Sequence, residues 1–148
     1  MSEHLDWRRG DFPYLTEVPT RWGDNDMLGH LNNVVYNRMI ETIVVRFTMG
    51  PLQIDWQKDP CYPIVVESLC RFHRSLSFPE TVTAGLRAGR IGGTSVTYEI
   101  ALFGEGNEAP ASTGHFVHVF VDRDDHRSMQ IPADIRARIE RHLSLIHI

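Results

Sequence analysis

Apolar side chains recur at helical spacing in one segment of the chain and at strand spacing in much of the rest. From Val34 onward two adjacent apolar stripes repeat at steps of three and four, namely Val35, Met39, Ile43 and Phe47, and Tyr36, Ile40, Val44 and Phe47. This spacing predicts a helix with an unusually broad apolar face. The helix should end at Gly50-Pro51, because glycine suits the position after the last turn and proline cannot continue a helix. Another element must therefore wrap around it.

Five segments have the β-branched and aromatic content, and the turn-forming boundaries, that are typical of strands. They are residues 14–22, 62–75, 80–91, 94–103 and 114–122. Short connections join the last four, so consecutive segments are expected to pair antiparallel. Residues 131–146 predict a short second helix, with Pro132 at or near its first turn. The pattern predicts a single α+β domain over residues 1–148.

Composition and charge exclude several classes of protein. The 148 residues include 15 Lys and Arg against 19 Asp and Glu, a net charge of −4, which argues against a nucleic-acid binder. No apolar stretch approaches the roughly 20 residues of a membrane span, and residues 1–12 lack the apolar centre of a signal peptide. Cys61 and Cys70 lack CxxC spacing and are expected to be reduced. We therefore expect a cytoplasmic protein that binds no membrane.

A cluster of short polar residues lies directly before the long helix, within the segment RWGDNDMLGHLNNVVYNRMIE at residues 21–41. Aspartates in such a place are commonly caps or Asx-turn formers, and Asn32 and Asn33 suit a helix N-cap. The same arrangement would hold a carboxylate beside a helix N-terminus, where free backbone N–H groups stabilise negative charge. From the residues alone, Asp26 is either a turn former or a catalytic carboxylate.

This segment and the order of the elements resemble the hotdog-fold acyl-CoA thioesterases of the 4-hydroxybenzoyl-CoA thioesterase type. The resemblance covers about residues 14–140 and is carried mainly by Arg21, Trp22, Gly23, Asp24, Asn25, Asp26, Gly29, His30, Asn32, Asn33, Tyr36 and Glu41. It implies a hotdog fold, in which a five-stranded antiparallel sheet wraps around one long central helix, with a short C-terminal helix. It also implies a homodimer or homotetramer whose subunits join their sheets.

The resemblance implies an acyl-CoA thioesterase, which hydrolyses an acyl-CoA thioester to a free carboxylic acid and coenzyme A. Asp26 corresponds to the catalytic carboxylate, as general base or nucleophile. The backbone N–H of Asn33 would polarise the thioester oxygen. Gly29, His30 and Asn32 are expected to bind substrate or to shape the loop. Asp24 is expected to organise the loop, and Tyr36 and Glu41 to pack or brace, with Glu41 a possible dimer contact.

Members of the family bind the coenzyme A nucleotide near the turn that corresponds to Gly92-Gly93, often from the neighbouring subunit. Arg87 and Arg90 precede the turn, and Thr94 and Ser95 follow it, so these four residues are expected to contact phosphate oxygens. The segment RIGGTS lacks the basic cluster of some members. Gly-Gly at this place is also simply a hairpin turn.

Other polar residues are weaker candidates. His115 and His118 are three apart in a strand and should point to opposite faces. No cluster has ligand spacing, so the sequence predicts neither a metal nor another cofactor. Glu67, His73 and Arg74 are expected on the solvent side of the sheet, although each could line a pocket. Residues 144–148 match nothing recognisable.

A second class of function is a non-catalytic hotdog protein that binds an acyl-CoA or an acyl carrier. Asp26 favours the enzyme, because a pure binder has no need for an ionised group beside the thioester. Within enzymes a hotdog dehydratase is disfavoured, because no pairing of histidine and acid is evident that would remove and return a proton.

Overall fold

The helix predicted from the two apolar stripes is present, and a curved sheet wraps around it. The computed structural model describes residues 4–143. Its elements are β1 (Tyr14–Pro19), α1 (Asn33–Met49), β2 (Cys61–Phe72), β3 (Thr81–Ile91), β4 (Ser95–Phe103), β5 (Ser112–Asp122) and α2 (Ala133–Leu143). All strand pairs are antiparallel. The architecture is the α+β hotdog fold, with a five-stranded sheet, a central helix and a C-terminal helix.

The broad apolar face of α1 forms the centre of the core. Met39, Ile40, Ile43, Val44 and Phe47 are all 0% exposed. They pack against side chains from the inner face of the sheet, including Val82, Ala84, Leu86, Tyr98, Ile100, Leu102 and Phe120. Each such burial stabilises the fold by about 1.5–3 kcal/mol. The sheet is thus the wrapping element that the two stripes required.

Both ends of α1 follow the predicted capping chemistry. The side chain of Asn32 accepts a hydrogen bond from Val34 N at 3.0 Å, as an N-cap residue does. Gly50 follows the last turn and its N–H donates to Arg46 O at 3.0 Å. A Cβ on Gly50 would lie 2.9 Å from that carbonyl oxygen, so the close approach requires glycine.

The order of strands in the sheet corrects one expectation. The order is β1-β3-β4-β5-β2, so β3, β4 and β5 pair consecutively, but β2 pairs with β5 and not with the next strand, β3. The prediction of pairing between these consecutive segments was wrong. The connection between β2 and β3 is held at the start of α1, since Leu31 N donates to Leu76 O and Phe78 N donates to Asn25 Oδ1. The chain thereby crosses from one edge of the sheet towards the other.

The second helix packs on the core through Ile135, Ile139 and Leu143. The last part of its predicted range, residues 144–146, lies outside the described residues, as do the other residues of the C-terminal stretch 144–148. Within residues 4–143, none of the helices combines the length and the apolar character that crossing a bilayer requires.

Candidate active site

A buried carboxylate holds the polar loop against α1. Asp24 is 2% exposed, and its carboxylate accepts hydrogen bonds from Arg21 N and from two guanidinium nitrogens of Arg38. The hydrogen bonds from Arg38, more than any other interaction, lower the pKa of Asp24 to about 2. The backbone oxygen of Asp24 also accepts from Asn32 N at 3.0 Å. Asp24 therefore organises the loop, as the sequence indicated.

Asp26 lies two residues further on, in an exposed tight turn. Its N–H donates to His30 O at 2.8 Å, and its backbone oxygen accepts from Gly29 N at 3.0 Å. Its Oδ1 accepts from Leu28 N at 2.9 Å, an Asx-turn bond. Gly29 closes the turn with a φ of +83°, in the left-handed region that glycine favours. Asp26 Oδ2 accepts no hydrogen bond from residues 4–143, so one oxygen holds the turn while the other faces solvent.

Within residues 4–143, the start of α1 presents one free backbone donor beside this turn. Asn32 satisfies Val34 N with its side chain and Val35 N with its backbone oxygen. The N–H of Asn33 donates no hydrogen bond to the described part of the chain. This first N–H of the helix also lies at the positive end of the helix dipole. A developing negative charge would be stabilised there.

Asp26 and Asn33 line one groove between the loop, the start of α1 and the end of β2. The groove has a volume of about 340 Å³, which is within the range of small-molecule sites. Its lining residues are Asp26, Leu28, His30, Leu31, Asn33, Tyr36, Phe72, His73, Arg74 and Ser75. Asp26, His30 and Asn33 were predicted as site residues and line this groove. His73 and Arg74, which were expected on the solvent side of the sheet, line it as well.

The segment after β2 forms the far wall of the groove. Tyr36 fixes it from α1, since its hydroxyl accepts from Leu76 N at 3.0 Å and donates to Arg74 O at 3.5 Å. Arg74 in turn donates to Ala109 O at 3.1 Å, and His73 Nε2 lies 2.8 Å from Thr113 Oγ1. His73 and Arg74 were underestimated in the sequence because they follow a strand whose end could not be located. The signal in the sequence that could have indicated these two residues is the largely polar run RFHRS at residues 71–75.

Arg87 has partners within the chain. Its Nε donates to Glu99 Oε1 at 2.7 Å, and its guanidinium lies over the rings of Trp7 and Phe12 at 4.6 and 5.0 Å from their centroids. These contacts fix the N-terminal segment to β3 and β4. Arg90, by contrast, is exposed beyond the bulge of β3 between Ala88 and Arg90.

The turn at Gly92-Gly93 is the predicted hairpin, closed by a hydrogen bond from Gly92 N to Ser95 O at 2.8 Å. The backbone oxygen of Thr94 accepts from Phe120 N. Arg136 of α2 donates to Gly92 O at 2.6 Å, a neighbouring cation that sequence reasoning missed because it comes from a distant helix.

The β3–β4 turn lies far from the groove within the chain. The beginning of β3 lies beside the polar loop, since Thr20 Oγ1 donates to Glu80 O, and the turn follows its other end. The intervening 11 residues of strand span roughly 30 Å. Arg90, Thr94 and Ser95 are therefore remote from Asp26 within the chain. Among residues 4–143, no group of three or more His, Cys, Asp or Glu side chains could hold a metal ion.

Comparison with known proteins agrees with this fold. Residues 20–139 match the model of the thioesterase-like superfamily, and the chain belongs to that family. No curated protein sequence matches it.

Three solved structures illustrate the similarity. A Pseudomonas aeruginosa protein is 36% identical with a TM-score of 0.87, over 93% of this chain and 96% of its own. A proposed thioesterase of Pseudomonas aeruginosa is 32% identical with a TM-score of 0.79, over 86% and 98%. A thioesterase of Thermus thermophilus, solved with coenzyme A and zinc, is 26% identical with a TM-score of 0.74, over 88% and 94%.

Proposed function

We propose that this protein is a cytoplasmic acyl-CoA thioesterase, which hydrolyses an acyl-CoA to a carboxylic acid and coenzyme A. The observation that carries the proposal is the groove that Asp26 and Asn33 both line. Within residues 4–143, neither Asp26 Oδ2 nor the Asn33 N–H has a hydrogen-bond partner. The coenzyme A bound by the similar Thermus thermophilus thioesterase supports the choice of thioester. The free thiols of Cys61 and Cys70 are consistent with a reducing compartment.

The proposed chemistry uses these two groups in complementary roles. The thioester oxygen accepts a hydrogen bond from Asn33 N–H, and the helix dipole stabilises the oxyanion as it develops. Asp26 Oδ2 either removes a proton from a water molecule that attacks the carbonyl carbon, or attacks that carbon itself. In the first route the hydroxide adds to the carbonyl carbon, the carbon–sulfur bond breaks, and the coenzyme A thiolate takes the proton held by Asp26. In the second route the carbon–sulfur bond breaks to leave a mixed anhydride with Asp26, and the coenzyme A thiolate takes a proton from water. A water molecule then hydrolyses the anhydride, which releases the carboxylic acid and restores the Asp26 carboxylate. Gly29, His30 and Asn32 hold the loop against the acyl carbonyl.

A homo-oligomer is part of the proposal, because β2 is an edge strand with an apolar exposed surface. Its backbone pairs only with β5 among the described strands, and Ile64, Val65, Val66 and Phe72 are exposed. An unpaired edge of this kind is a template for pairing with another chain. Pairing of β2 with β2 of a second copy is self-complementary and closes as a dimer, from which a tetramer could be built.

The nucleotide end of coenzyme A is proposed to bind at the β3–β4 turn of the neighbouring subunit. Arg90 is exposed there, Thr94 and Ser95 supply hydroxyls, and Arg136 adds positive charge. Arg87 remains a candidate, although its guanidinium already contacts Glu99. The distance between turn and groove within one protomer is the reason for assigning the contact to a neighbour.

A hydrolase screen tests the proposed function. Purified protein is incubated with short, long and aromatic acyl-CoAs, free thiol is detected, and binding of each substrate is measured in parallel. Thiol release that exceeds the spontaneous rate on at least one substrate is the expected result. Binding with no release on any substrate would contradict the enzyme and favour the non-catalytic acyl-CoA binder.

A further inference from the structure

Arg74 contributes a positive charge to the wall of the groove. It is half-buried directly after β2 and lines the groove together with Asp26 and Asn33. One guanidinium nitrogen, Nη2, donates to Ala109 O at 3.1 Å. An arginine has five N–H donors, so this contact leaves most of them for another partner. Within residues 4–143, no carboxylate lies at ion-pair distance from this guanidinium, and its charge is available to an anion in the groove.

The Arg74 guanidinium lies close to the start of α1. Tyr36, which comes one turn after Asn33, donates from its hydroxyl to Arg74 O at 3.5 Å. Burial raises the pKa of Tyr36, and the charge of Arg74 is near enough to oppose that rise. Since Tyr36 also lines the groove, Arg74 is on the wall that faces the proposed position of the thioester at Asn33 N–H.

The groove suits an acyl group that is short and polar. Its volume of about 340 Å³ is at the small end of the roughly 300–1,000 Å³ that ligand sites occupy, and most of the residues that line it have polar side chains. An alkyl chain in this space would shield Arg74 from water without offering it an acceptor, which is unfavourable for a charged group. A short acyl group that ends in hydrogen-bond acceptors avoids this cost.

We propose that the groove selects short acyl groups that carry a second carboxylate, such as succinyl and glutaryl, and that Arg74 binds this distal carboxylate. A guanidinium and a carboxylate form paired, charge-assisted hydrogen bonds, which combine strength with a defined geometry. Asp26 alone would repel an anionic acyl group, and the charge of Arg74 offsets that repulsion. The proposal rests on the proposed thioesterase function and names the substrate class of that site.

The test compares acyl-CoA pairs that differ only in a terminal methyl or carboxylate group, namely butanoyl with succinyl and pentanoyl with glutaryl. Spontaneous hydrolysis is subtracted from each rate. For at least one pair, kcat/KM of the parent protein should favour the dicarboxylic member by about tenfold or more, as a charge-assisted hydrogen bond provides. In Arg74→Gln, which keeps an amide donor but no charge, that ratio should fall at least about tenfold. In Arg74→Lys, which keeps the charge, part of the preference should remain.

Arg9→Gln is the control for a purely structural effect. Arg74 and Arg9 both donate to backbone oxygens of the connection between β4 and β5, Arg74 to Ala109 and Arg9 to Gly104 and Asn107. Arg9 does not line the groove. Loosening of this connection would affect both variants, whereas loss of a carboxylate contact affects Arg74→Gln alone. Arg9→Gln should therefore keep the parental ratio.

Binding of thioether analogues, measured by calorimetry, separates this proposal from the thioesterase proposal. S-butyl coenzyme A and S-(3-carboxypropyl) coenzyme A differ in the same terminal group, and neither has a thioester to hydrolyse. The parent protein should bind the carboxypropyl analogue at least about tenfold more tightly, and Arg74→Gln should lose this difference. That result without hydrolysis of any acyl-CoA would retain the carboxylate site and reject the thioesterase.

Four results would overturn the proposal. One is a parent protein that favours the dicarboxylic member of neither pair, and another is a preference that Arg74→Gln leaves unchanged. The third is an equal rise in KM for all four substrates in Arg74→Gln, which would mean that Arg74 binds a phosphate of coenzyme A. The fourth is a parent protein that neither hydrolyses the dicarboxylic substrates nor binds the carboxypropyl analogue.

Discussion

The guanidinium of Arg38 donates two parallel hydrogen bonds to the carboxylate of Asp24, from Nη1 to Oδ1 at 2.9 Å and from Nη2 to Oδ2 at 3.0 Å. This paired geometry is the strong form of an arginine–carboxylate contact. Because Arg38 is on α1 and Asp24 is in the loop, the contact fixes the loop to the helix. Asp26 thereby acquires a defined position beside the helix start.

Asp24→Asn is expected to lower the free energy of unfolding at pH 7 by about 1–3 kcal/mol, since the buried partner of Arg38 loses its negative charge. The pKa of Asp24 is about 2 in the folded protein against an ordinary value of 3.8. Its ionised form therefore stabilises the fold above about pH 4, and that contribution, at most about 2 kcal/mol, is lost as the pH falls towards 2. Urea titrations of both proteins at several pH values check this. An identical pH dependence below pH 4 would contradict it.

His118 predicts a second pH dependence in a different window. Its pKa falls from 6.5 to about 4 on folding, so the unfolded chain binds the proton first on acidification. The contribution of neutral His118 to the free energy of unfolding is fully present above about pH 6.5. It declines by at most about 3 kcal/mol as the pH falls to 4. Glu41, Tyr62 and Tyr98 are the titratable groups around it. His118→Phe should lose that decline in thermal melts, whereas His115→Phe should keep it.

Val66→Lys is expected to convert the proposed dimer to a monomer of 17.0 kDa. Val66 is 56% exposed at the bulge of β2, where it pairs with no residue of β5, so the fold should tolerate lysine while a second β2 edge should not. Light scattering at micromolar concentration gives the mass. Met49→Lys, an equally exposed apolar position at the end of α1, is the control and should remain a dimer. A parent protein that is monomeric would refute the assembly.

Arg90→Ala is expected to raise KM for acyl-CoA while leaving kcat within about twofold, as loss of a phosphate contact does. Arg87→Ala should instead lower the melting temperature, because Arg87 contacts Glu99, Trp7 and Phe12. Steady-state kinetics and thermal melts separate the two effects. Unchanged KM in both variants would assign the phosphates to other residues.

The features that the sequence predicted correctly depend on interactions between residues that are close along the chain. The apolar stripes of α1, its Asn32 cap and its Gly50 end are present as expected, because each depends on neighbours within a turn or two. The partner of β2 could not be predicted, since strand order depends on contacts between distant residues. His73 and Arg74 were underestimated because the end of β2 could not be located from the sequence.

The direction of the His118 side chain follows from the alternation of residues along β5. In the stretch HFVHVFV, it alternates with Phe116 and Phe120, and period-two alternation sets all three on the inner face. Its direction was therefore available from the sequence. The cavity of about 540 Å³ that His118 lines could not be predicted from the sequence, because Trp56, β2 and α1 form its other walls.

The turnover of Asp26→Asn tests the assignment of the catalytic carboxylate most directly. Asparagine keeps the side-chain volume and can still accept from Leu28 N, so the fold should survive, but the anionic oxygen is lost. Asp55→Asn is a matched control, since Asp55 Oδ1 accepts from Gln57 N at 2.9 Å in an equivalent turn that does not line the groove. Asp24→Asn should be milder than Asp26→Asn.

The decisive measurement is kcat of Asp26→Asn on the best acyl-CoA from the screen, with folding verified by circular dichroism. A fall of about 10²–10⁴-fold is expected if general-base catalysis is lost, and a larger fall if Asp26 is the nucleophile. Asp55→Asn should retain parental turnover. A folded Asp26→Asn protein with near-parental kcat, or an inactive Asp24→Asn beside an active Asp26→Asn, would contradict the assignment of the catalytic carboxylate.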